Sequence, residues 1–563
     1  MTKFRVLKLV STDSFHTTIS PCRTGQTQLE EAEEDLHTLL PNNPFVPPKY
    51  DVCFINNLPS ELLSRIFEDG SADDDSEDED GAGFWDNRHY NMSDANEADG
   101  KDTHDSNVEM QEELEGEDGE GEGDEEETDA AGSSDFPPPG ISFQIVVSHV
   151  CRHWRNVALS TPSLWTCIKV TPEVRPPYEY ISTRLERGKA LPIHINVNCE
   201  RKRCVQLPSD AYLESLFSLL SPHIHRWRTM EVSVLDYHYL YVFLSAVSNP
   251  SIPVAPLLTA LEFDSFGSIY RGMSKHLTLV AGSAPLLTSL VLCGVHVDWN
   301  QPWIASASNL IHLELAFHPD DVRPSWAQFA SILRGASALE KLSLRRSGPS
   351  GDPHEWFIEP TPGSPAGLNT PLQLLHVTDF TLAFHSQARA IGLFHRFCLP
   401  ALKNLVLEFD MGDYTEFFHE LAKPATSLSL PSAQGQPCSL LRNLESLKIA
   451  GLPCRTECLP KLYGELQNLT SLDINLWPHY PAVPLWLLGY PGIGRHEMWL
   501  PRLVTLYLPW TSGDVLRGVV QRRKDAGVPL DSLYVNDPYG AHSDEDAVWL
   551  RENLKMFEFV KLG

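Results

Sequence analysis

The chain has 563 residues, a formal net charge of −31 at pH 7, 42% hydrophobic residues and 11 cysteines. That length allows several domains. No run approaches the roughly 18 apolar residues that a spanning helix needs, and the apolar stretch in Met1–Val10 is too short for a signal peptide, so no membrane role is expected. The cysteines are odd in number and scattered; the closest pairs, Cys199/Cys204 and Cys454/Cys458, lack the second pair of a zinc site, so they read as reduced thiols of a cytoplasmic or nuclear protein.

Residues 1–50 form an N-terminal segment with one expected helix, from about Gln28 to Leu40, stopped by Pro41. In residues 51–67, Leu62, Leu63, Ile66 and Phe67 fall at helical spacing, and Pro59 stands where a first helical turn tolerates it. Residues 68–135 differ in kind. Between Glu68 and Asp129 there are 28 acidic and two basic residues, so the remainder of the chain is close to neutral. This tract has no apolar period and cannot repay the cost of ordering, which predicts a disordered acidic insertion. Ser71 and Ser76 precede acidic residues, as acidophilic kinases prefer, and phosphate would deepen the charge.

Residues 136–168 return to helical periodicity. Val147, Val150, Cys151, Trp154, Val157 and Ala158 make one stripe, followed by Pro162-Ser163-Leu164-Trp165. Two helices this short cannot bury so much apolar surface between themselves and need a partner, elsewhere in the chain or on another protein.

Three pieces stand in order here: Leu58-Pro59-Ser60-Glu61-Leu62-Leu63-Ser64-Arg65-Ile66-Phe67, then Val150-Cys151-Arg152-His153-Trp154-Arg155, then Pro162-Ser163-Leu164-Trp165. Together they resemble an F-box, the motif that docks onto the Skp adaptor of SCF ubiquitin ligases and through it onto a cullin. The resemblance implies adaptor contacts from Leu58, Pro59, Leu62, Leu63, Ile66, Val150, Cys151, Trp154, Leu164 and Trp165. The chain departs from the family in that the acidic tract separates the two halves. Lengthening the connection from roughly 16 to roughly 80 residues costs about 1.5 kcal/mol in loop closure. Burying six or more large apolar side chains, at roughly 1.5–3 kcal/mol each, outweighs that, so the split motif is expected to close.

From residue 169 to 563 the sequence repeats. An apolar-x-x-Leu-x-apolar unit recurs about eleven times, as in Leu258/Leu261/Phe263, Leu310/Leu313/Leu315, Leu372/Leu375/Val377 and Leu503/Leu506/Leu508. The last two apolar positions alternate and so share one face of a strand, which only stacked neighbours can bury. Pro256, Pro285, Pro371, Pro400 and Pro501 each precede a unit and pre-set an extended backbone. Before these units, Pro192–Val197 alternates as a strand and Tyr212–Leu220 reads as an amphipathic helix, together the expected start and cap of the repeat domain. The units resemble degenerate leucine-rich repeats of the ribonuclease-inhibitor-like kind. The Asn that follows the strand in regular repeats is mostly missing. The expected fold class is α/β: a split helical F-box, a disordered acidic insertion, and a degenerate repeat solenoid.

In such a solenoid the residue between the last two apolar positions faces away from the core. Glu262, Glu314, His376, Lys448, Asp473 and Tyr507 occupy that position, with Val291, Ser343 and Val406 among them. The set is chemically mixed, so it resembles a protein-recognition face and not a nucleic-acid groove, which needs clustered Lys and Arg. The sequence holds no phosphate-binding Gly-rich loop, no Gly-x-Ser-x-Gly and no His-Glu-x-x-His, so neither catalysis nor a cofactor is expected of this chain, and no metal site. The expected function is the substrate-recognition subunit of an SCF-type ubiquitin ligase, holding a protein target. The alternative is a repeat scaffold outside the ligase that binds basic proteins through its acidic tract.

Overall fold

The computed structural model describes residues 54–76, 142–171, 174, 176–199, 210–234, 237–247, 255–265, 284–301, 304, 307–356, 371–409, 412–423, 439–451, 454–475, 488–489, 498–509, 511–536 and 544–560. The expected helix at 28–40 and most of the acidic tract lie outside them.

The repeat region builds one sheet of 14 parallel strands in strictly sequential order. They are β1 (Cys167–Val170), β2 (Ile193–Cys199), β3 (Trp227–Val234), β4 (Ala260–Ser265), β5 (Ser289–Cys293), β6 (His312–Ala316) and β7 (Lys341–Arg345), then β8 (Asp379–Ala383), β9 (Asn404–Glu408), β10 (Ser446–Ala450), β11 (Ser471–Asn475), β12 (Thr505–Leu508), β13 (Ser532–Asn536) and β14 (Met556–Val560). Sequential parallel strands require crossovers of one hand, which puts every helix on the same side of the sheet. The fold is α/β and consistent with a solenoid of the leucine-rich-repeat type.

Strand registry aligns the apolar positions into two continuous rows. One runs Ile168, Ile195, Met230, Leu261, Leu290, Leu313, Leu342, Phe380, Leu405, Leu447, Leu472, Leu506, Leu533, Phe557. All fourteen are buried in a single core with helix side chains such as Phe217, Phe243, Phe329, Phe417, Leu462, Val520 and Leu550. A strand of five residues cannot form such a core alone; thirteen neighbouring registers do it together.

A turn precedes most strands. The N–H of Leu258, Leu287, Leu402 and Leu503 bonds the carbonyl three residues back, at 3.3, 3.1, 3.3 and 3.1 Å. Pro256, Pro285, Pro400 and Pro501 therefore sit at the second position of a β-turn, where a fixed φ near −65° is favourable. Pro371 does not. It precedes Leu372–Gln373, which pairs with Phe397–Cys398 in a separate two-stranded sheet. The repeating unit here is Val377/Phe380/Leu382, five residues later than the Leu372/Leu375/Val377 expected from the sequence.

Strand ends show how the missing Asn is replaced. Three residues beyond the last buried apolar position stand His318, Ser347, His385 and Thr511, all buried. His318 Nδ1 pairs with Ser347 Oγ at 2.8 Å, and His385 Nε2 donates to the Leu344 carbonyl at 3.2 Å. Burial pushes both imidazoles down to about 3, so they are neutral. Buried arginines do similar work between repeats. Arg523 donates to the carbonyls of Trp499 and Leu500, each at 2.9 Å, and Arg226 donates to those of Leu191 and Leu185 at 2.9 and 3.2 Å. Each guanidinium satisfies several loop carbonyls that would otherwise be buried without a donor.

Candidate functional site

Three helices precede the sheet: α1 (Ser60–Ser76), α2 (Phe143–Val150) and α3 (Arg152–Ser160), followed by a 3-10 turn at Pro162–Trp165. Helix α1 starts directly after Pro59, whose carbonyl accepts from Leu62 and Leu63 N–H at 3.0 and 3.1 Å. Glu61 in the first turn complements the helix dipole. Helix α1 continues to Ser76, so the first nine residues of the acidic tract expected from residue 68 are helical. Arg65 holds this stretch through Asp69 at 3.3 Å and Glu68 at 3.8 Å, one turn away.

Cys151 breaks the second half into two helices. Its backbone is extended (φ −155°, ψ 171°), and its thiol accepts from the Trp154 N–H at 3.4 Å as the N-cap of α3. Arg155 Nε reaches back to the Ser148 carbonyl at 2.8 Å and caps the end of α2. Cys151 and Arg155 of the motif thus have local structural roles.

The two halves meet. Leu63, Phe67, Val147, Val157, Ala158, Leu164 and Trp165 form a buried core of their own, with Ile55, Leu58, Phe143 and Trp154 packed against it. The Phe67 and Trp154 rings lie 5.1 Å apart. Two hydrogen bonds cross the split: Ser64 Oγ to Thr161 Oγ1 at 2.8 Å, and Ser163 Oγ to Glu68 Oε1 at 2.5 Å. Gly70 lets α1 pass Phe143, whose ring a Cβ there would strike.

The residues expected to contact an adaptor divide in two. Leu62 and Ile66 are 53% and 44% exposed, one turn apart on α1, Val150 on α2 is 56% exposed, and Pro59 is exposed too. Leu58, Cys151 and Trp154 are half-buried. Leu63, Leu164 and Trp165 are buried and join the halves. Val146, 48% exposed and one turn before Val150, and Leu159 are exposed apolar residues that the motif did not single out.

The cluster is tied to the sheet. Trp165 Nε1 donates to the Ala158 carbonyl at 2.9 Å while the Arg187 guanidinium stacks on its ring, 4.5 Å from the centroid. Arg184 donates to the β1 carbonyl of Cys167 and reaches Gln144 Oε1 at 3.3 Å in α2.

On the sheet face away from the helices, registry makes a third row: Lys169, Asn196, Glu231, Glu262, Val291, Glu314, Ser343, Thr381, Val406, Lys448, Asp473, Tyr507, Tyr534, Glu558. Glu262 is half-buried beside Glu231. Lys448 and Asp473 are adjacent and half-buried, and Tyr507 is exposed. Two expected members do not fit. His376 lies in the turn before β8, with Thr381 in its place on the strand, because that repeat starts five residues later. Glu314 is buried, held by Arg345 at 3.2 Å, and Arg345 also reaches Glu408 at 2.5 Å. Burial pushes the Glu314 carboxyl up despite that partner. This ion network fills the middle of the face and offers little to a ligand. Tyr534 was legible by the same spacing as Tyr507, since it lies between Leu533 and Val535.

Burial pushes the Cys454 thiol up to about 12, so it is no thiolate. No group of three or more His, Cys, Asp or Glu side chains is placed to hold a metal among the described residues, and no described helix is long and apolar enough to cross a membrane. The chain matches no protein-family model and no curated protein.

Proposed function

We propose that this chain is the substrate receptor of an SCF-type ubiquitin ligase. In this reading α1–α3 and the Pro162–Trp165 turn are an F-box closed across its insertion, docking on a Skp-type adaptor and through it a cullin. The sheet is a degenerate ribonuclease-inhibitor-like repeat domain that holds a protein target. The supporting observation is the shared core of two segments some eighty residues apart, which leaves Leu62, Ile66, Val146 and Val150 exposed on its helices. Apolar residues at one-turn spacing on short helices are what a partner's groove recognises. The chain itself performs no chemistry; adaptor and target are held at a set separation because Arg184 links α2 to the first strand and Arg187 stacks on Trp165, and proximity does the rest. Its place of action would be the cytoplasm or nucleus.

The test is co-purification of the full chain with a Skp adaptor, comparing wild type with Leu62→Glu/Val150→Glu. Both side chains are exposed, so the fold is retained while charge enters the contact. Stoichiometric capture by wild type and loss in the variant are expected. Capture unchanged in the variant, or absent from wild type, overturns the assignment.

A further inference from the structure

The C-terminal end of the open face differs from the rest of its row. Tyr507 and Tyr534 on adjacent strands stack with centroids 4.5 Å apart and planes 10° from parallel. Tyr507 is 36% exposed, and Tyr534 is half-buried beside it. Registry places Asp473 on the strand before the pair and Glu558 on the strand after it. With strands about 4.8 Å apart, the four side chains span roughly 14 Å in one line. Met556, exposed, lies two residues before Glu558 and therefore on the same face.

No other pair of aromatic rings occupies this row among the described residues. Elsewhere the position holds valine, small polar residues, the lysines Lys169 and Lys448, or the glutamates Glu231, Glu262 and the buried Glu314. Nothing in the core requires these tyrosines, because the row points away from it. An aromatic pair presents a negative π face. The carboxylates at either end add charge of the same sign, with Lys448 one strand beyond Asp473 as the nearest cation in the row.

We infer that the Tyr507–Tyr534 pair, flanked by Asp473 and Glu558, is the contact that receives an arginine-bearing segment of the target protein. A planar guanidinium can lie on an exposed phenol ring and hydrogen-bond a carboxylate at the ring's edge. Arginine fits better than lysine, since its plane matches the ring and its donors lie in that plane. This rests on the reading of the sheet as a target-holding face, but does not depend on what the helical cluster binds.

The probe is the peptide acetyl-Gly-Arg-Gly-Arg-Gly-amide carrying a diazirine, photo-crosslinked to the full chain at physiological salt. Adducts are located by mass spectrometry. Adducts on 505–508, 532–536 and 556–560 are expected, with those on Glu558→Lys and Tyr507→Ser reduced about tenfold. Tyr507→Phe keeps the π face and retains them. Adducts confined to other parts of the chain, including the acidic tract, overturn the inference. So does labelling of β12–β14 that is equal in wild type and in Glu558→Lys, an exposed position whose change leaves the fold intact. Adaptor capture, measured on the same proteins, fails separately if the ligase reading is wrong.

Discussion

The helical cluster and the repeat sheet use the same residue types to opposite ends. In the sheet every leucine of the aligned row is buried by the strand on either side and a helix beneath. In the cluster, adjacent leucines part company: Leu63 is buried while Leu62 is exposed. Stacking leaves a repeat no unsatisfied apolar face except at its ends. Three short helices have no such neighbours, so part of their apolar surface stays open. The contrast teaches that apolar periodicity reports a need for burial and does not say by what.

The largest effect should come where the two regions join. Trp165→Ala removes a buried indole, its bond to the Ala158 carbonyl and the surface on which Arg187 rests. A loss of about 3–5 kcal/mol is expected. It should appear in urea unfolding as an early transition of the cluster, followed by protease cleavage near residues 54–76. A single transition shifted by less than about 1 kcal/mol would mean that the cluster and sheet are not joined through this residue.

Within the sheet, Leu342→Ala opens a cavity between β6 and β8 and should cost about 2–5 kcal/mol. Its position between two fixed neighbours limits collapse, so the upper half of that range is expected. Chemical denaturation of the variant against wild type measures it. A cost near zero would show that the row is not packed as registry places it.

Much of the sheet is legible in the sequence because its period is short and local. Ten of the expected units, from Trp227/Met230/Val232 to Leu530/Leu533/Val535, stand in the registers that the spacing implies. The exception has a clear cause. Pro371-Leu372 imitates the Pro-x-Leu start of other units, while the true unit carries Phe380 in place of leucine and no proline in its turn. The outermost strands, β1 and β14, are missed because their units, Trp165/Ile168/Val170 and Leu554/Phe557/Phe559, carry isoleucine and phenylalanine in place of the central leucine of the pattern. The cluster was legible in membership but not in orientation. A helix apolar on two sides does not reveal which side faces inward. That is decided by Trp154, Leu164 and Trp165, which arrive from beyond the acidic tract. Likewise, no spacing rule shows that Arg345 and Glu408 bury Glu314, since their pairing depends on strands far apart in the chain.

The two regions should also differ in acid. His318 and His385 are buried between repeats and neutral, with folded pKa values near 3 against about 6.5 when unfolded. Below about pH 6.5 the unfolded chain takes up protons that the folded sheet refuses, so stability is full above that value and falls as pH drops towards 3. At pH 5.5 each histidine should cost about 1.4 kcal/mol. His385→Asn should flatten the acid limb by that amount, read from urea midpoints between pH 5 and 7.5. An unchanged slope would mean that His385 is accessible to protons in the folded state.

The smallest expected change in stability sharpens the contrast most. Leu62→Ala trims a side chain that already lies in water, one residue from a leucine sealed in the core. Removing exposed methyl groups leaves no cavity, and α1 gains slightly from alanine's helix propensity. Unfolding free energy should stay within about 0.5 kcal/mol of wild type. Leu63→Ala, by the same measurement, should lose about 2–5 kcal/mol. If the residue is kept for a partner, Leu62→Ala must weaken adaptor capture even though the isolated protein is as stable as before. Equal stability losses at the two positions would place Leu62 in a core and remove the docking surface. A neutral Leu62→Ala with undiminished capture would locate the adaptor contact elsewhere on the cluster, at Val146, Val150 or Leu159.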